Sequence, residues 1–193
     1  MKLKKAMLAF VCALALVVGS VMGTMAYLTS TTGTVTNTFT VGKVEITMDE
    51  APVNEYGVEE EGDRVQGNEY KLIPGHTYVK DPTVYVDSES EEAYLFVKIV
   101  NGIEEIEAAG NTTIANQMAG NWTLVDEENG IYRYNSTVVA GNEIEVFGTF
   151  TLAENADVTD YANATITIKA CAVQADGMTA ALALTEATAK LNA

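Results

Sequence analysis

The sequence is poor in cysteine, and this shortage excludes a disulfide-built scaffold. Of the two cysteines in 193 residues, Cys12 lies inside an apolar N-terminal run, which leaves Cys171 alone in the rest of the chain. A lone cysteine cannot form an internal disulfide. We expect Cys171 to be a small buried apolar residue, with a reactive thiol as the alternative. Stability must then come from a packed core.

Histidine is almost absent, and this limits the catalytic sites that the chain can build. His76 is the single histidine, and Thr77 follows it directly after the Pro74-Gly75 turn. A zinc-peptidase helix needs two histidines in the pattern H-E-x-x-H, and a Ser-His-Asp site needs a serine in a nucleophile elbow. Neither pattern is present. We therefore predict that His76 is a surface turn residue, and that the protein is not an enzyme and has no catalytic residue, metal site or cofactor.

Basic residues are scarce, which excludes partners that carry negative charge. Lys2, Lys4 and Lys5 precede the first acidic residue, Glu45. Without these three lysines, eight Lys and Arg residues face 27 Asp and Glu residues, a formal charge of −19. Such a charge repels nucleic acid and anionic lipid. We predict no nucleic-acid partner, and a membrane association only through the N-terminal segment.

That N-terminal segment has the pattern of a secretory signal peptide. The three lysines are followed by the uncharged apolar run from Ala6 to Val18, and the small residues Thr24 and Ala26 fit an A-x-A-like cleavage site. We predict cleavage between Ala26 and Tyr27, so that residues 1–26 are the signal peptide and residues 27–193 form a single secreted or cell-surface domain. The alternative is an uncleaved membrane anchor, and residues 27–193 would then also lie on the outer side of the membrane.

Residues 27–41 form an uncharged, threonine-rich arm with β-branched character. One interpretation is a flexible linker. The other is a donor strand, with Val35, Phe39 and Val41 as its apolar residues, that adds to an exposed sheet edge of another copy. Repeating such a head-to-tail contact builds an open fibre.

The remaining pattern predicts a mainly β domain: an antiparallel, jelly-roll-like β-sandwich with seven to nine short strands and short helices. Tyr94–Val100 is the candidate central strand, and Asn129-Gly130 marks a hairpin turn. Further predictions are a bulge at Gly42, a loop or weak hairpin over 49–70, and strands over 78–80, 83–87, 143–152 and 164–173. Pro82 favours an edge position for its neighbouring strands. A short helix is predicted within 103–118, and a C-terminal helix is predicted over 179–191.

The acidic clusters carry no recognisable metal-binding spacing. Asp49-Glu50, Glu59 to Asp63, Glu89 to Glu92 and Asp126 to Glu128 lack the arrangement of an EF-hand loop. We interpret them as solvated loops. Weak extracellular calcium binding is the alternative.

Several segments resemble one family of secreted bacterial proteins. The stretch GTMAYLTSTTGTVTNTFTVGKVEITMDE is similar to the leader and first strand of the TasA/camelysin family, whose members are processed by a SipW-type signal peptidase. The segments Leu72–Gly75, Val79–Pro82, Tyr94–Lys98 and Ile166–Gly177 also resemble that family.

The resemblance implies a jelly-roll sandwich, secretion from a Gram-positive cell, and processing by that peptidase. For the fibre-forming members it also implies polymerisation through the N-terminal strand in a biofilm matrix. We therefore expect a subunit or accessory of an extracellular fibre, which associates with itself or with a related fibre subunit. The alternatives are a camelysin-type surface metallopeptidase and a monomeric, membrane-anchored adhesive module.

Overall fold

The computed structural model describes residues 42–193, and this part of the chain is mainly antiparallel β-structure, as predicted. The arm residues Val35, Phe39 and Val41 and the cleavage residues Ala26 and Tyr27 lie outside the described residues. The strands are β1 (Ile46–Asp49), β2 (Thr77–Val79), β3 (Thr83–Val86), β4 (Ala93–Asn101), β5 (Trp122–Asp126), β6 (Ile131–Val138), β7 (Glu143–Glu145), β8 (Thr149–Thr151) and β9 (Ile166–Gln174). The helices are α1 (Ile114–Met118) and α2 (Ala180–Leu191), with 3₁₀ turns at Glu104–Ile106 and Thr159–Tyr161.

The larger sheet has the strand order β5-β6-β4-β9, with β4 inside it, as predicted for a central strand. β4 pairs with β9 along its whole length, from Ala93 opposite Gln174 to Asn101 opposite Ile166. Successive side chains alternate between the two faces. Leu95 and Val97 are fully buried on the inner face, while Phe96 is fully buried on the outer one. A strand buried on both faces explains the nearly continuous apolar sequence of β4.

The second layer contains the sheets β1-β3-β7 and β2-β8. The prediction of one strand over 143–152 is wrong, because the chain forms β7 and β8 in different sheets. Between β7 and β8 the chain is held by two backbone hydrogen bonds. Val146 N donates to the Pro82 oxygen, and Lys80 N donates to the Gly148 oxygen. Proline has no N–H to return a bond, and the regular ladder stops there.

The predicted edge position next to Pro82 is also wrong for β3, which lies between β1 and β7. Pro82 is buried but precedes the first residue of β3, where the missing N–H costs no strand pairing.

The main core lies between the two layers. Tyr78 and Phe150 are buried there with their rings stacked at 4.7 Å between centroids, next to Val84, Leu95 and Val97. The Tyr78 hydroxyl donates to the Lys71 oxygen at 2.7 Å, so the buried phenol has a partner. Burial of side chains of this size stabilises by about 1.5–3 kcal/mol each.

The crossover between β4 and β5 closes one side of this core and contains the predicted short helix. The crossover contributes four buried apolar side chains, Ile103, Ile106, Ile114 and Met118. Gln117 extends the backbone pairing of β8, because its side-chain amide donates to the Thr149 oxygen at 2.7 Å and accepts from Thr149 N at 3.2 Å. One edge of the second layer is thereby covered.

Helix α2 covers the outer face of β4 and β9 in the larger sheet. The predicted helix over 179–191 is confirmed, with Thr179 as its N-cap, whose side chain accepts from Leu182 N. Ala183 and Ala187 are fully buried against Phe96 and Cys171. Alanines allow the helix to approach the sheet closely. The predicted burial of Cys171 is confirmed at 8% exposed, and burial raises the pKa of its thiol.

The predicted hairpin joins β5 and β6, with Gly130 at a left-handed φ of 64°. A Cβ atom at Gly130 would lie 2.5 Å from the Ile99 oxygen, so this position requires glycine for both space and conformation. The segment 50–70 contains no regular strand and is held by isolated bridges, including Val53–Glu59, as expected of a loop or weak hairpin. The jelly-roll arrangement remains a prediction.

Candidate functional site

A groove of about 920 Å³ opens between the two layers, on the side of β1 and β9. Within residues 42–193, each of these strands is the outermost strand of its sheet. The groove is lined by Met48 from β1 and by residues 166–168 from β9, with the buried Ile103 and Phe150 at its base. Residues 66–72 and segments within 158–165 complete the lining, so loops as well as the two strands form the cleft.

The walls of the groove continue into two rows of apolar side chains. On the first wall, Val44, Ile46 and Met48 share one face and are only half-buried against the main core. The second wall has a corresponding half-buried row on one face of β9, which consists of Ile166, Ile168, Ala170 and Ala172. Both rows follow the two-residue period of a strand. One side of each row packs against the main core, and none of the described residues covers the other side.

A buried ion pair lies in the groove lining. The Lys80 ammonium contacts the Glu50 carboxylate at 2.5 Å, and the two residues are only 7% and 4% exposed. Asn68 Nδ2 donates to the other Glu50 oxygen at 2.9 Å. The interpretation of Glu50 as part of a solvated acidic cluster is therefore wrong. A charge this deeply buried needs its partner, because an unpaired one would be strongly destabilising.

The ammonium of Lys80 retains hydrogen-bonding capacity. It carries three N–H donors, and among residues 42–193 its one hydrogen-bond acceptor is Glu50. The Tyr70 ring lies 6.0 Å from Lys80 Nζ, at the outer limit for a cation–π contact. Burial, and next the Glu50 charge, raise the pKa of Tyr70 well above its usual value, so its hydroxyl stays neutral and donates to the Val79 oxygen.

The C-terminal end of the β1 edge is already occupied by the loop. Glu50 and Val65 exchange two backbone hydrogen bonds, of 2.9 and 2.8 Å. Gln66 Nε2 donates to the Met48 oxygen at 2.9 Å. Arg64 fixes this stretch by bonding Asp49 at 2.6 Å and Asp81 at 2.8 Å. A strand that entered the groove would therefore meet open β1 backbone only toward Val44 and Ile46.

The first described residue lies at the far end of β9 from the groove. Gly42 lines a small depression with Gln174 and Ala175, whereas the groove is lined by Ile166 to Ile168. The length of β9 separates these places by roughly 26 Å, because eight steps of about 3.3 Å join Ile166 to Gln174. The point where the arm joins the domain and the groove are thus at opposite ends of one strand.

His76 is partly exposed and directly follows the Pro74-Gly75 turn, which is consistent with the predicted surface turn residue. Its ring lies 4.6 Å from the Tyr78 ring, and Nε2 is 2.8 Å from the Tyr56 oxygen, which makes Nε2 the donor. The histidine thus joins the loop containing Tyr56 to β2. In the described part of the chain, no three His, Cys, Asp or Glu side chains are grouped to hold a metal ion.

Sequence reasoning did not find the groove or the ion pair. A signal was present, since Lys80 is two residues from the inward-facing Tyr78 and therefore shares its face. A lysine on the core face of a strand indicates a buried anionic partner. The partner could not be read in the same way, because Asp49-Glu50 is one of several acidic clusters with no feature in the sequence that separates it from the solvated ones.

Two general findings complete the description of residues 42–193. No helix among them is both long and apolar enough to cross a lipid bilayer. Comparison of the chain with protein-family models, with curated proteins and with solved structures gave no match.

Proposed function

We propose that this protein is a secreted or cell-surface subunit of an extracellular fibre, in which residues 27–41 of one copy occupy the groove of the next. The observation that carries the proposal is the open cleft between β1 and β9, flanked by two half-buried apolar rows. The resemblance of the leader and first strand to the TasA/camelysin family gives the proposal its biological setting, a biofilm matrix.

The chemistry of the cleft suits an extended segment. Edge strands present unpaired N–H and C=O groups, which a further strand can satisfy. The arm would also cover the apolar rows with Val35, Phe39 and Val41, which lie on one face of an extended chain. Each such side chain contributes roughly 1.5–3 kcal/mol when it is fully buried.

The charge distribution favours the arm over other segments of the chain as the occupant. Residues 27–42 contain no charged residue, whereas the chain after residue 26 has a formal charge of −19. Two strongly acidic domains repel each other at short range. The uncharged arm can enter the cleft without the desolvation of a charge of its own, and it also keeps the acidic domains apart.

The positions of arm and groove favour an open chain of subunits. Because the arm leaves the domain beside Gln174 and the groove lies against Ile166, donor and acceptor surfaces differ. Contacts between two different surfaces are heterologous, and they propagate as a filament unless a rotation closes them into a ring.

The proposal is tested by comparing the protein from Tyr27 onward with a variant that lacks residues 27–40. We expect fibres from the first in electron micrographs and monomers from the second by light scattering. A synthetic peptide of residues 27–41 should bind the shortened variant and raise its Tm. A peptide with Phe39→Asp should not bind, while one with Thr38→Asp, on the opposite face, should retain most of its affinity.

The opposite results would reject the proposal. If the protein from Tyr27 onward stays monomeric, and removal of residues 27–40 changes neither its assembly nor its Tm, the arm does not act as a donor strand. Chelator-sensitive proteolysis by that monomer would then favour the metallopeptidase alternative. N-terminal sequencing of secreted protein checks the processing step, for which Tyr27 is the expected first residue.

A further inference from the structure

The side chains of Lys80, Glu50 and Asn68 form a connected set. Lys80 Nζ contacts Glu50 Oε2 at 2.5 Å, and Asn68 Nδ2 donates to Glu50 Oε1 at 2.9 Å. One carboxyl group therefore contacts both the lysine nitrogen and the carboxamide nitrogen. An amine is a nucleophile and a carboxamide carbon is an electrophile, so this set contains the two groups from which an amide cross-link forms and an acid–base group that touches both.

We propose that Lys80 and Asn68 become joined by an isopeptide bond, and that Glu50 moves the protons of the reaction. The new bond links Lys80 Nζ to Asn68 Cγ, and the bond between Cγ and Nδ2 breaks. Ammonia is the leaving group, and no atom is oxidised or reduced. The bond forms within one copy of the chain, so it does not rest on the proposed fibre.

Glu50 is placed to serve both nitrogens in turn. A proton that passes from Nζ to the carboxylate converts two buried charges into two neutral groups, a change that burial favours. The free amine then has the lone pair with which it attacks Cγ. Glu50 donates its proton to the leaving Nδ2 and accepts a second proton from Nζ. The products are a neutral amide, one molecule of ammonia and a protonated Glu50 carboxyl group.

The carboxamide of Asn68 is held in one orientation by the backbone. Its oxygen accepts from Val53 N at 3.0 Å, and its nitrogen also donates to the Ala51 oxygen at 2.9 Å. The Val53 N–H stabilises the negative charge that develops on this oxygen when the amine adds to Cγ. Groups fixed in this way react without the entropy loss of a collision in solution.

The surroundings of the three side chains suit such a reaction. Lys80 and Glu50 are 7% and 4% exposed, and the Tyr70 ring lies 6.0 Å from Nζ. Asn68 is only half-buried and lines the groove, which gives ammonia a path to the solvent. The link would fix the 66–72 segment to the end of β2, and it provides a covalent constraint that the free Cys171 alone cannot.

Peptide mapping of the folded protein by mass spectrometry tests the inference. Trypsin cleaves after lysine and arginine, so an unreacted chain gives the separate peptides 65–71 and 72–80. The isopeptide bond removes the cleavage site at Lys80, because its side chain is no longer a free amine. We expect a branched product in which 65–71 is joined to 72–98, with the sum of the two peptide masses less one ammonia.

Two exchanges identify the reacting groups. Lys80→Arg keeps a positive charge next to Glu50 but removes the nucleophilic amine, so the branched product should be lost. Glu50→Gln keeps the size of the side chain but cannot accept a proton from the amine, so the product should appear about a hundredfold more slowly. Glu69→Gln, at an exposed acid next to Asn68, is the matched control and should leave the rate unchanged.

A further variant separates catalysis from folding. Trp122 fluorescence shows which variants are folded, because this side chain is buried in the core. If Glu50→Gln does not fold, Glu50→Asp replaces it. Aspartate keeps the charge opposite Lys80 but is one methylene too short to reach both nitrogens, so the rate should again fall.

Each other outcome rejects a defined statement. If the folded original protein gives only the separate peptides, the bond does not form and the inference is wrong, whether or not fibres assemble. If a folded Glu50 variant reacts at the original rate, Glu50 does not move the protons. Conversion of the Asn68 carboxamide to a carboxylate would show that water attacks it instead of Lys80. Protein that yields the separate peptides still holds the ion pair, and stability measurements on that pair apply to this form.

Discussion

Replacing Lys80 by methionine tests how much of the domain's stability depends on the buried ion pair. Methionine has a similar length and removes the charge, so the Glu50 carboxylate keeps only the Asn68 amide among its side-chain contacts. Removing one partner of a buried pair typically costs about 3–5 kcal/mol. A domain of this size has a free energy of unfolding of roughly 5–15 kcal/mol, so the loss is a large fraction of the total.

The assay follows from the position of the one tryptophan. Trp122 is 4% exposed in the main core, so its fluorescence reports unfolding in urea. We expect Lys80→Met to lower Tm by roughly 6–20 °C, from about 2–4 °C per kcal/mol. The double variant Glu50→Gln/Lys80→Met should recover most of this loss, because no unpaired charge remains. Lys43→Met, which breaks three exposed ion pairs, serves as the control and should leave Tm unchanged.

Two results would refute this reasoning. A loss for Lys80→Met no larger than that for Lys43→Met would mean that Glu50 is adequately solvated without its partner. A double variant less stable than Lys80→Met would mean that the charges themselves, rather than their pairing, stabilise this region.

Three further predictions concern other parts of the domain. In urea denaturation, Gly130→Ala should lower the free energy of unfolding by more than Gly141→Ala. Both glycines have a positive φ, but of the two only Gly130 would bring a Cβ atom against backbone. Equal losses for the two variants would contradict the clash. Burial raises the pKa of Glu107, so the folded state holds its proton more tightly than the unfolded state, and the contribution of Glu107 to stability falls as pH rises above about 4.5. The difference in Tm between Glu107→Gln and the original protein should therefore grow in favour of the variant from pH 4 to pH 7, while the exposed control Glu186→Gln shows no such trend. Cys171 should react with iodoacetamide only when α2 unfolds or loosens, because the helix covers the thiol. Leu191→Ala, which weakens the packing of α2, should therefore speed the labelling. Rapid labelling of the original protein would show that the helix does not protect the thiol.

The sequence pattern was sufficient for elements whose structure depends on nearby residues. β4 is recognisable because Tyr94 to Val100 is rich in β-branched and aromatic residues, and its alternation assigned Leu95 and Val97 to the core. The C-terminal helix is recognisable from its alanines and leucines. Both depend on local propensity and period, and the packed structure agrees with them.

The errors arose where distant parts of the chain decide the outcome. The break between β7 and β8 is set by pairing with the Lys80–Pro82 segment, more than sixty residues earlier in the chain. Glu50 is buried because Lys80, the residue after β2, approaches it. The groove brings together β1, β9 and residues 66–72, from distant parts of the described chain, so no local window of the sequence contains it.

Helix α2 has a consequence for the width of any fibre that this domain builds. With the core on one face and α2 on the other, β4 and β9 offer no bare face on which a second sheet could stack, which opposes the layered growth of amyloid on these two strands. In the proposed fibre, copies are therefore added along strand edges and not by stacking on β4 and β9. Such a fibre should lengthen without thickening on the side that α2 covers.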